Sequence, residues 1–281
     1  MHWYCLWQAP KLTFCSCPEK KWTCCGKHIS EKIPCSGEDD HLLPDDPGDR
    51  VLEKRWQMTE TPAQVLPSHR RAVAIDCEMG HASDGESELI RLTVVDYFSG
   101  KTLIDTLVYP NIPMQHFNTR WSGVTRSQME NARRRRQCLF GTAAARKAVF
   151  QFVGRNTIVV GHGLSQDLLS LRWCHGYIVD SYLIESNIRE AWLKAEAEKE
   201  KKVDRATQPR DAGQAEEAKE TKGGKTRGKR HPDGMSLKAL AMKKLGRSIQ
   251  GGKGHDSLED AVAARDLVHS YVVDMLTPSV S

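Results

Sequence analysis

The stretch "AVAIDCEMG", Ala72 to Gly80, carries the strongest indication of the fold. Its apolar start predicts a buried strand, and the strand ends in two acids separated by Cys77. Because side chains alternate along a strand, Asp76 and Glu78 point to the same face of the sheet. Burying two carboxylates without partners costs free energy. We therefore expect a divalent cation or a basic side chain to neutralise this pair.

Length and charge set broad limits on the kind of protein. The chain has 281 residues, which is enough for one good-sized domain and an appendage, and its net charge is +5 with neutral histidines. A charge of this size permits nucleic-acid binding but does not by itself argue for it. We expect no membrane partner, because no apolar run reaches the length of a span and the first residues lack the pattern of a secretory signal.

Composition divides the chain into a Cys-rich module, a linker and a main domain, at residues 1–45, 46–70 and 71–276. Residues 190–233 form a charged insert within the main domain. We expect this insert to be disordered, because its few apolar side chains cannot offset the entropy lost on ordering, although its "AEAEKEKK" part can extend a helix. Its basic second half, "KGGKTRGKRHP", is compatible with a solvated linker, a nuclear-import patch or a phosphate-contacting arm.

The main domain reads as strands first and then as alternating strands and helices. The segments "AVAID", "IRLTVVDYF" and "KTLIDTLVY" predict three strands, the last two joined by a hairpin. Further along, we predict one helix over Thr142–Val153 and a second, "LSQDLLSLRWCHG", that ends at Gly176. Two more helices are predicted near the C-terminus, capped by Ser236 and by Asp256 or Ser257. This order predicts an α/β or α+β sheet with helices packed on it.

Two more acids, Asp167 and Asp260, lie beside apolar positions of predicted helices, and His255 precedes the last acid by five residues. Taken singly, such an acid is most often a cap or a surface residue. Together with the strand pair they make four carboxylates, roughly the charge that two divalent ions balance. Oxygen ligands select Mg²⁺ or Mn²⁺, and two such ions about 3.5–4 Å apart can catalyse phosphoryl displacement. A histidine beside them can act as a general base.

Three sequence segments, "AIDCEMG", "GHGLSQDL" and "HDSLEDA", resemble the three motifs of the DEDDh 3′–5′ exonucleases. The wording "DCEM" and the later "SGVT" resemble the eukaryotic RNA exonucleases that include the yeast Rex proteins and the interferon-stimulated exonuclease, and a fungal member is expected. The resemblance covers residues 71–189 and 235–275. It implies a ribonuclease H-like α/β fold, with a mixed five-stranded sheet flanked by helices.

The resemblance also implies roles for individual residues. It makes His255 the general base and Met79 a contact of the terminal nucleotide. Arg120 is the candidate in this chain for a further substrate contact. The chain departs from the family where relatives often have Tyr-Arg-Thr, since Phe117, Asn118 and Thr119 stand there instead. If that arginine helps to select RNA over DNA, its absence weakens the choice of RNA. The ligands implied for two Mg²⁺ or Mn²⁺ ions are Asp76, Glu78, Asp167 and Asp260.

The run "RRRR", residues 133–136, has two readings. It is compatible with a solvated helix end and with a patch that follows the phosphates of a bound strand.

The Cys-rich module carries thiols and histidines at intervals compatible with one structural Zn²⁺. The spacing does not single out four ligands, and unbound thiols or disulfides are the alternatives. Cys17, Cys25 and His28 compete with the preferred set. That set is Cys15, Cys24, Cys35 and His41.

The function predicted from the sequence is a metal-dependent 3′–5′ exoribonuclease that releases nucleoside 5′-monophosphates from single-stranded RNA. The alternatives are an exonuclease that acts on DNA or on both nucleic acids, and a non-catalytic nucleic-acid-binding adaptor. An inert adaptor is expected to have lost at least one of the five site residues, and all five are present. We expect a nuclear or nucleolar location, with the cytoplasm as a second site.

Overall fold

The structure is a computed structural model that describes residues 57–207, 234–252 and 254–277, with the side chains of 200–207 left out. The Cys-rich module, including Cys15, Cys24, Cys35 and His41, lies outside the described residues, as do the first part of the linker and the second half of the charged insert. Within the described part, no helix is both long and apolar enough to cross a bilayer.

Nine strands and seven helices make up the described residues. The strands are β1 (Thr59–Glu60), β2 (Ala72–Ala82), β3 (Ser87–Asp96), β4 (Thr102–Tyr109), β5 (Met114–His116), β6 (Cys138–Phe140), β7 (Ile158–Gly161), β8 (Trp173–Cys174) and β9 (Ile178–Asp180). The helices are α1 (Thr119–Ser122), α2 (Arg126–Arg134), α3 (Gly141–Val149), α4 (Leu164–Ser170), α5 (Ser181–Thr207), α6 (Leu237–Leu245) and α7 (Ser257–Leu276).

The main sheet is mixed and has the strand order β6-β4-β3-β2-β7-β9, with β5 paired to the end of β2. The first three long strands pair antiparallel, whereas β7 runs parallel to β2 and β9 runs parallel to β7. The prediction of a mixed sheet flanked by helices is confirmed. The predicted number of five strands is wrong for the described residues, because the short strands β5 and β6 extend the sheet to seven.

Strand β2 separates two apolar layers, and its alternation decides which side chain enters which layer. Val73, Ile75 and Cys77 pack against α3 and α4 on one face. Ala74 packs on the other face, where Ala261 and Val268 of α7 cover it. Because Asp76 and Glu78 share the face of Ala74, the alternation directs both acids toward the last helix.

Two predicted helices are shorter in the structure. The first runs over Gly141–Val149 and not to Val153. The second ends at Ser170 and not at Gly176, because Arg172 takes a left-handed backbone with φ 52° and the chain then forms β8. Strand β8 pairs in parallel with Thr59–Glu60, which the sequence had assigned to the linker. A two-residue strand has too little periodicity to be recognised in the sequence.

The charged insert begins as helix, as the sequence allowed for its "AEAEKEKK" part. Helix α5 runs from Ser181 to Thr207 without a break. Its Ala, Glu and Lys residues are good helix formers, and ion pairs such as Lys194–Glu190 link successive turns. The rest of the insert, residues 208–233, lies outside the described residues.

Candidate active site

The two acids of β2 lie directly before a register shift in the pairing of that strand with β3. Asp76 stands opposite Thr93 and Glu78 opposite Arg91, and the register shifts between Glu78 and Met79. Such a bulge bends a strand and re-aims the side chains beside it. Glu78 is buried and Asp76 is half-buried, so both residues lie largely in the interior of the domain.

Asp167 reaches the same place from α4, on the opposite face of the sheet. It is buried, and its Oδ1 accepts a 2.8 Å hydrogen bond from the backbone N–H of Cys77. The helix that carries it is held at its start by Asp180, whose carboxylate oxygens accept the N–H groups of Gly163 and Leu164 at 2.8 and 2.9 Å. The second acidic motif is therefore fixed to β2 through Asp167 and to β9 through Asp180.

Asp260 lies in the first turn of α7 and is buried. Its Oδ2 accepts a 2.9 Å hydrogen bond from Nε2 of Gln250 and lies 3.3 Å from Nδ1 of His255. Its Oδ1 is buried and has no hydrogen-bond partner among the described residues. A buried carboxylate oxygen without a partner is costly, so this atom is suited to binding a cation.

Burial raises the pKa of all four acids, and the charges of neighbouring acids add to the effect. Burial raises the pKa of Asp76 well above its usual range, and the charges of Asp167, Asp260 and Glu78 add to the effect. Burial and the charge of Asp260 raise the pKa of Glu78 to about 8. Burial raises the pKa of Asp167 to about 7 and also raises that of Asp260. Without a cation, each additional negative charge at this edge is therefore unfavourable.

These residues fit a divalent metal site by the chemistry of their donors. All four supply carboxylate oxygens, the ligands that Mg²⁺ and Mn²⁺ prefer, and Oδ1 of Asp260 is left without a partner in the described part. No three histidine, cysteine or acidic side chains of the described residues converge on a single point at ligand distances.

One basic side chain, Arg91, was not predicted as a site residue. Its guanidinium hydrogen-bonds Asp105 at 3.0 Å and pairs with Asp256 at 3.0 Å. It also lowers the pKa of Asp76 and Glu78, in opposition to burial. The pattern of alternation could have revealed it, because Arg91 interrupts the apolar run of β3 directly opposite Glu78.

The two predicted substrate contacts, Met79 and Arg120, lie in β2 and in α1. Met79 is half-buried against the core, and its carbonyl accepts a 3.2 Å hydrogen bond from Nδ2 of Asn118. Arg120 is exposed, and its guanidinium lies 5.2 Å from the centre of the Trp121 ring. Trp121 and Gln250 were not predicted as site residues. The segment that carries Asn118 and Trp121 follows β5, and the sequence did not predict that strand.

Two residues of the arginine run, Arg133 and Arg134, bind partners on their own helix. Arg133 hydrogen-bonds Glu130 at 2.9 Å, and Arg134 hydrogen-bonds Asn131 at 2.6 Å. These contacts favour the reading of this run as a solvated helix end.

Comparison with known proteins agrees with this arrangement. No family model matches the chain. The chain is 29% identical over 255 residues to RNA exonuclease 3 of Candida albicans, an alignment that covers 90% of this chain and 51% of the relative. It is 31% identical over 199 residues to RNA exonuclease 3 of Eremothecium gossypii, with 70% and 38% covered. The chain thus spans about half the length, or less, of these curated relatives.

Similarity also extends to solved structures. The fold matches the Pan2 pseudoubiquitin hydrolase-RNA exonuclease module of Saccharomyces cerevisiae in complex with A7 RNA, with a TM-score of 0.50 and 19% identity. That match covers 78% of this chain and 32% of the Pan2 chain, and at this identity it shows the fold alone. The four acids and the histidine stand in the sequence segments that resemble the DEDDh exonuclease motifs. The chain is similar to curated proteins named RNA exonuclease 3.

Proposed function

We propose that this protein is a metal-dependent 3′–5′ exoribonuclease that releases nucleoside 5′-monophosphates from single-stranded RNA. One observation carries the proposal. Carboxylates from β2, α4 and α7 lie close enough for the charges of Asp167 and Asp260 to raise the pKa of Asp76, and Nδ1 of His255 lies 3.3 Å from Oδ2 of Asp260. The names of the curated relatives support RNA as the substrate, and a nuclear location is part of the proposal.

The four acids would hold two Mg²⁺ or Mn²⁺ ions. Such ions supply Lewis-acid chemistry, which stabilises the charge on the attacking and leaving oxygens of an in-line phosphodiester displacement. Asp167 is oriented for this task by the N–H of Cys77, and Asp260 by the amide of Gln250. Asp76 and Glu78 are oriented by the strand that carries them.

His255 would take the proton of the attacking water. Its ring is partly exposed, and Nδ1 faces the Asp260 carboxylate. A proton held on Nδ1 by that carboxylate leaves the lone pair on Nε2, the arrangement that a general base needs. The ring can give the proton back to solvent through its exposed edge after each cycle.

Digestion of end-labelled oligonucleotides tests the proposal. Single-stranded RNA labelled at the 5′ end should shorten one nucleotide at a time with Mg²⁺ or Mn²⁺ and stay intact in EDTA. The Asp167→Ala variant should lose at least about a thousand-fold in rate, because it removes a ligand fixed by the strand backbone.

The same assay separates the alternatives. If DNA is degraded faster than RNA, DNA is the substrate. If the 5′ label is released as a mononucleotide in the first turnover, the enzyme degrades RNA from the 5′ end. Full activity of Asp167→Ala would refute the metal-site account. No activity of the wild-type protein with either metal would refute the proposed function and favour a non-catalytic adaptor.

A further inference from the structure

Trp121 is a large aromatic side chain left in solvent beside the candidate site. Its residue is 59% exposed, although it belongs to the short helix α1, which is folded against the body of the domain. Its neighbour Ser122 is buried, and the hydroxyl of that serine donates a 2.7 Å hydrogen bond to the carbonyl of Phe117. The polar neighbour thus points inward while the indole points outward, the reverse of what burial alone would favour.

The backbone that carries Trp121 is fixed to both sides of the site. Upstream of it, Asn118 donates to the carbonyl of Met79 at 3.2 Å. The carbonyl of Trp121 itself accepts the backbone N–H of His255. The backbone of Trp121 therefore cannot shift relative to that of His255 without breaking this hydrogen bond.

Two glycines allow this close approach. A Cβ on Gly254, which has φ +116°, would lie 2.7 Å from the backbone of Gly123. A Cβ on Gly123, with φ +67°, would lie 3.0 Å from the carbonyl oxygen of His255. The loop that carries the indole and the loop that carries the histidine therefore touch backbone to backbone, where side chains are excluded.

The surroundings of the indole suit a nucleic-acid strand. The centre of the Trp121 ring lies 6.2 Å from that of His255, and the two planes meet at 83°. The guanidinium of Arg120 lies over the indole at 5.2 Å, which places a positive charge next to an exposed aromatic surface. An aromatic ring that stacks a base and a cation that contacts the adjacent phosphate are the two elements of single-strand recognition.

We infer that Trp121 is a stacking platform for one of the two bases that flank the scissile phosphodiester. Arg120 contacts the neighbouring phosphate from the same loop. The inference rests on the proposed function, because it takes the position of His255 as the place of chemistry. It deepens that function by assigning the selection of unpaired ends to one side chain, since a base paired within a duplex cannot leave its partner to stack here without a free-energy cost.

The matched control is Tyr177. It is 58% exposed, almost the same as Trp121, and it precedes β9 at the end of the sheet away from Gly161 and Asp180. Removing its ring should leave RNA degradation unchanged. Removing the indole should weaken substrate binding while leaving the metal ligands in place.

The experiment compares intact and abasic 5′-labelled RNA strands. In EDTA, where no hydrolysis is expected, Trp121→Ala should raise the Kd for an intact strand about ten-fold, and Tyr177→Ala should not. With Mg²⁺, the same change should appear in KM more than in kcat. A strand that lacks its last or its penultimate base should bind wild-type protein as weakly as the intact strand binds Trp121→Ala, and the variant should not weaken it further.

If Trp121→Ala weakens the binding of intact and abasic strands equally, or weakens neither, Trp121 is not a stacking platform. The wild-type measurement with abasic strands needs no variant, so it remains decisive if Trp121→Ala fails to fold, and Trp121→Phe should restore most of the affinity. If the wild-type protein does not cut RNA at all, the proposed function fails. If it cuts RNA but ignores the missing base, only the platform fails.

Discussion

Cys77 illustrates how a single residue supports the site without taking part in the chemistry. Its side chain is buried in the apolar core, on the face opposite Asp76 and Glu78, as alternation along the strand predicts. Its backbone N–H, which every residue except proline possesses, orients Asp167. Burial raises the pKa of the thiol well above its usual range, so the side chain stays neutral.

We therefore predict that Cys77→Ala keeps the nuclease activity. The substitution removes a buried thiol that also hydrogen-bonds Asp167, and it should cost about 1 kcal/mol of unfolding free energy, because the N–H that binds Asp167 is retained. Urea unfolding and nuclease rates measure the two quantities. A fall of more than about ten-fold in kcat with an intact fold would mean that the thiol itself acts in the site.

At the scale of elements, β3 holds the start of α7 in place. Arg91 pairs with Asp256, the residue that caps this helix, and the hydroxyls of Thr93 and Ser257 lie 2.7 Å apart in the interior. Asp256 and Ser257, which make these contacts, lie between His255 and Asp260 in the chain. The last motif is thereby aligned with the strand pair, although about 180 residues separate them.

Loss of this alignment should affect catalysis more than binding. We predict that Arg91→Ala lowers kcat about ten-fold or more and changes KM by less than about two-fold, because His255 loses its register with the acids. Arg70→Ala is the control, since Arg70 pairs with Asp96 at the other end of β2 and β3. An equal effect of the two substitutions, or a change in KM alone, would contradict a positioning role for Arg91.

The sequence predicted the elements whose pattern is long or whose residue types are unusual. The strand "AVAIDCEMG" and the helix caps at Ser236 and Asp256 are in the structure because burial and capping act locally. The pairing of β1 with β8 and the left-handed turn at Arg172 depend on contacts between segments far apart in the chain. The roles of Gln250 and Trp121 depend in the same way on partners that no local pattern reveals.

On the scale of the whole molecule, the acidic edge should link stability to pH and to metal. The pKa of Glu78 is about 8 and that of Asp167 about 7, both raised from usual values near 4. The folded state therefore holds more protons than the unfolded state between roughly pH 4 and pH 8. Stability from these groups is present at the acid end and is lost as the pH rises through the folded pKa values.

We predict that the Tm of the metal-free protein falls between pH 5 and pH 8. The asparagine of Asp167→Asn resembles the protonated acid. The Tm of this variant should therefore fall less over the same pH range, and at pH 8 in EDTA it should lie above the Tm of wild type. Added Mg²⁺ should raise the wild-type Tm most at pH 8, because the cation replaces the protons. Thermal unfolding in EDTA and in Mg²⁺ measures this. Parallel plots of Tm against pH for wild type and Asp167→Asn would refute the buried acids as the source of the pH dependence.

The most direct test of the central claim is a calorimetric titration of the metal-free protein with Mn²⁺. The account predicts two ions per chain for wild type, and loss of at least one of them in Asp167→Ala. Asp274→Asn is the control, because Asp274 is exposed near the far end of the helix that carries Asp260, and it should bind like wild type. Equal binding by wild type and Asp167→Ala, or no binding by wild type, would contradict a metal site built from these four acids.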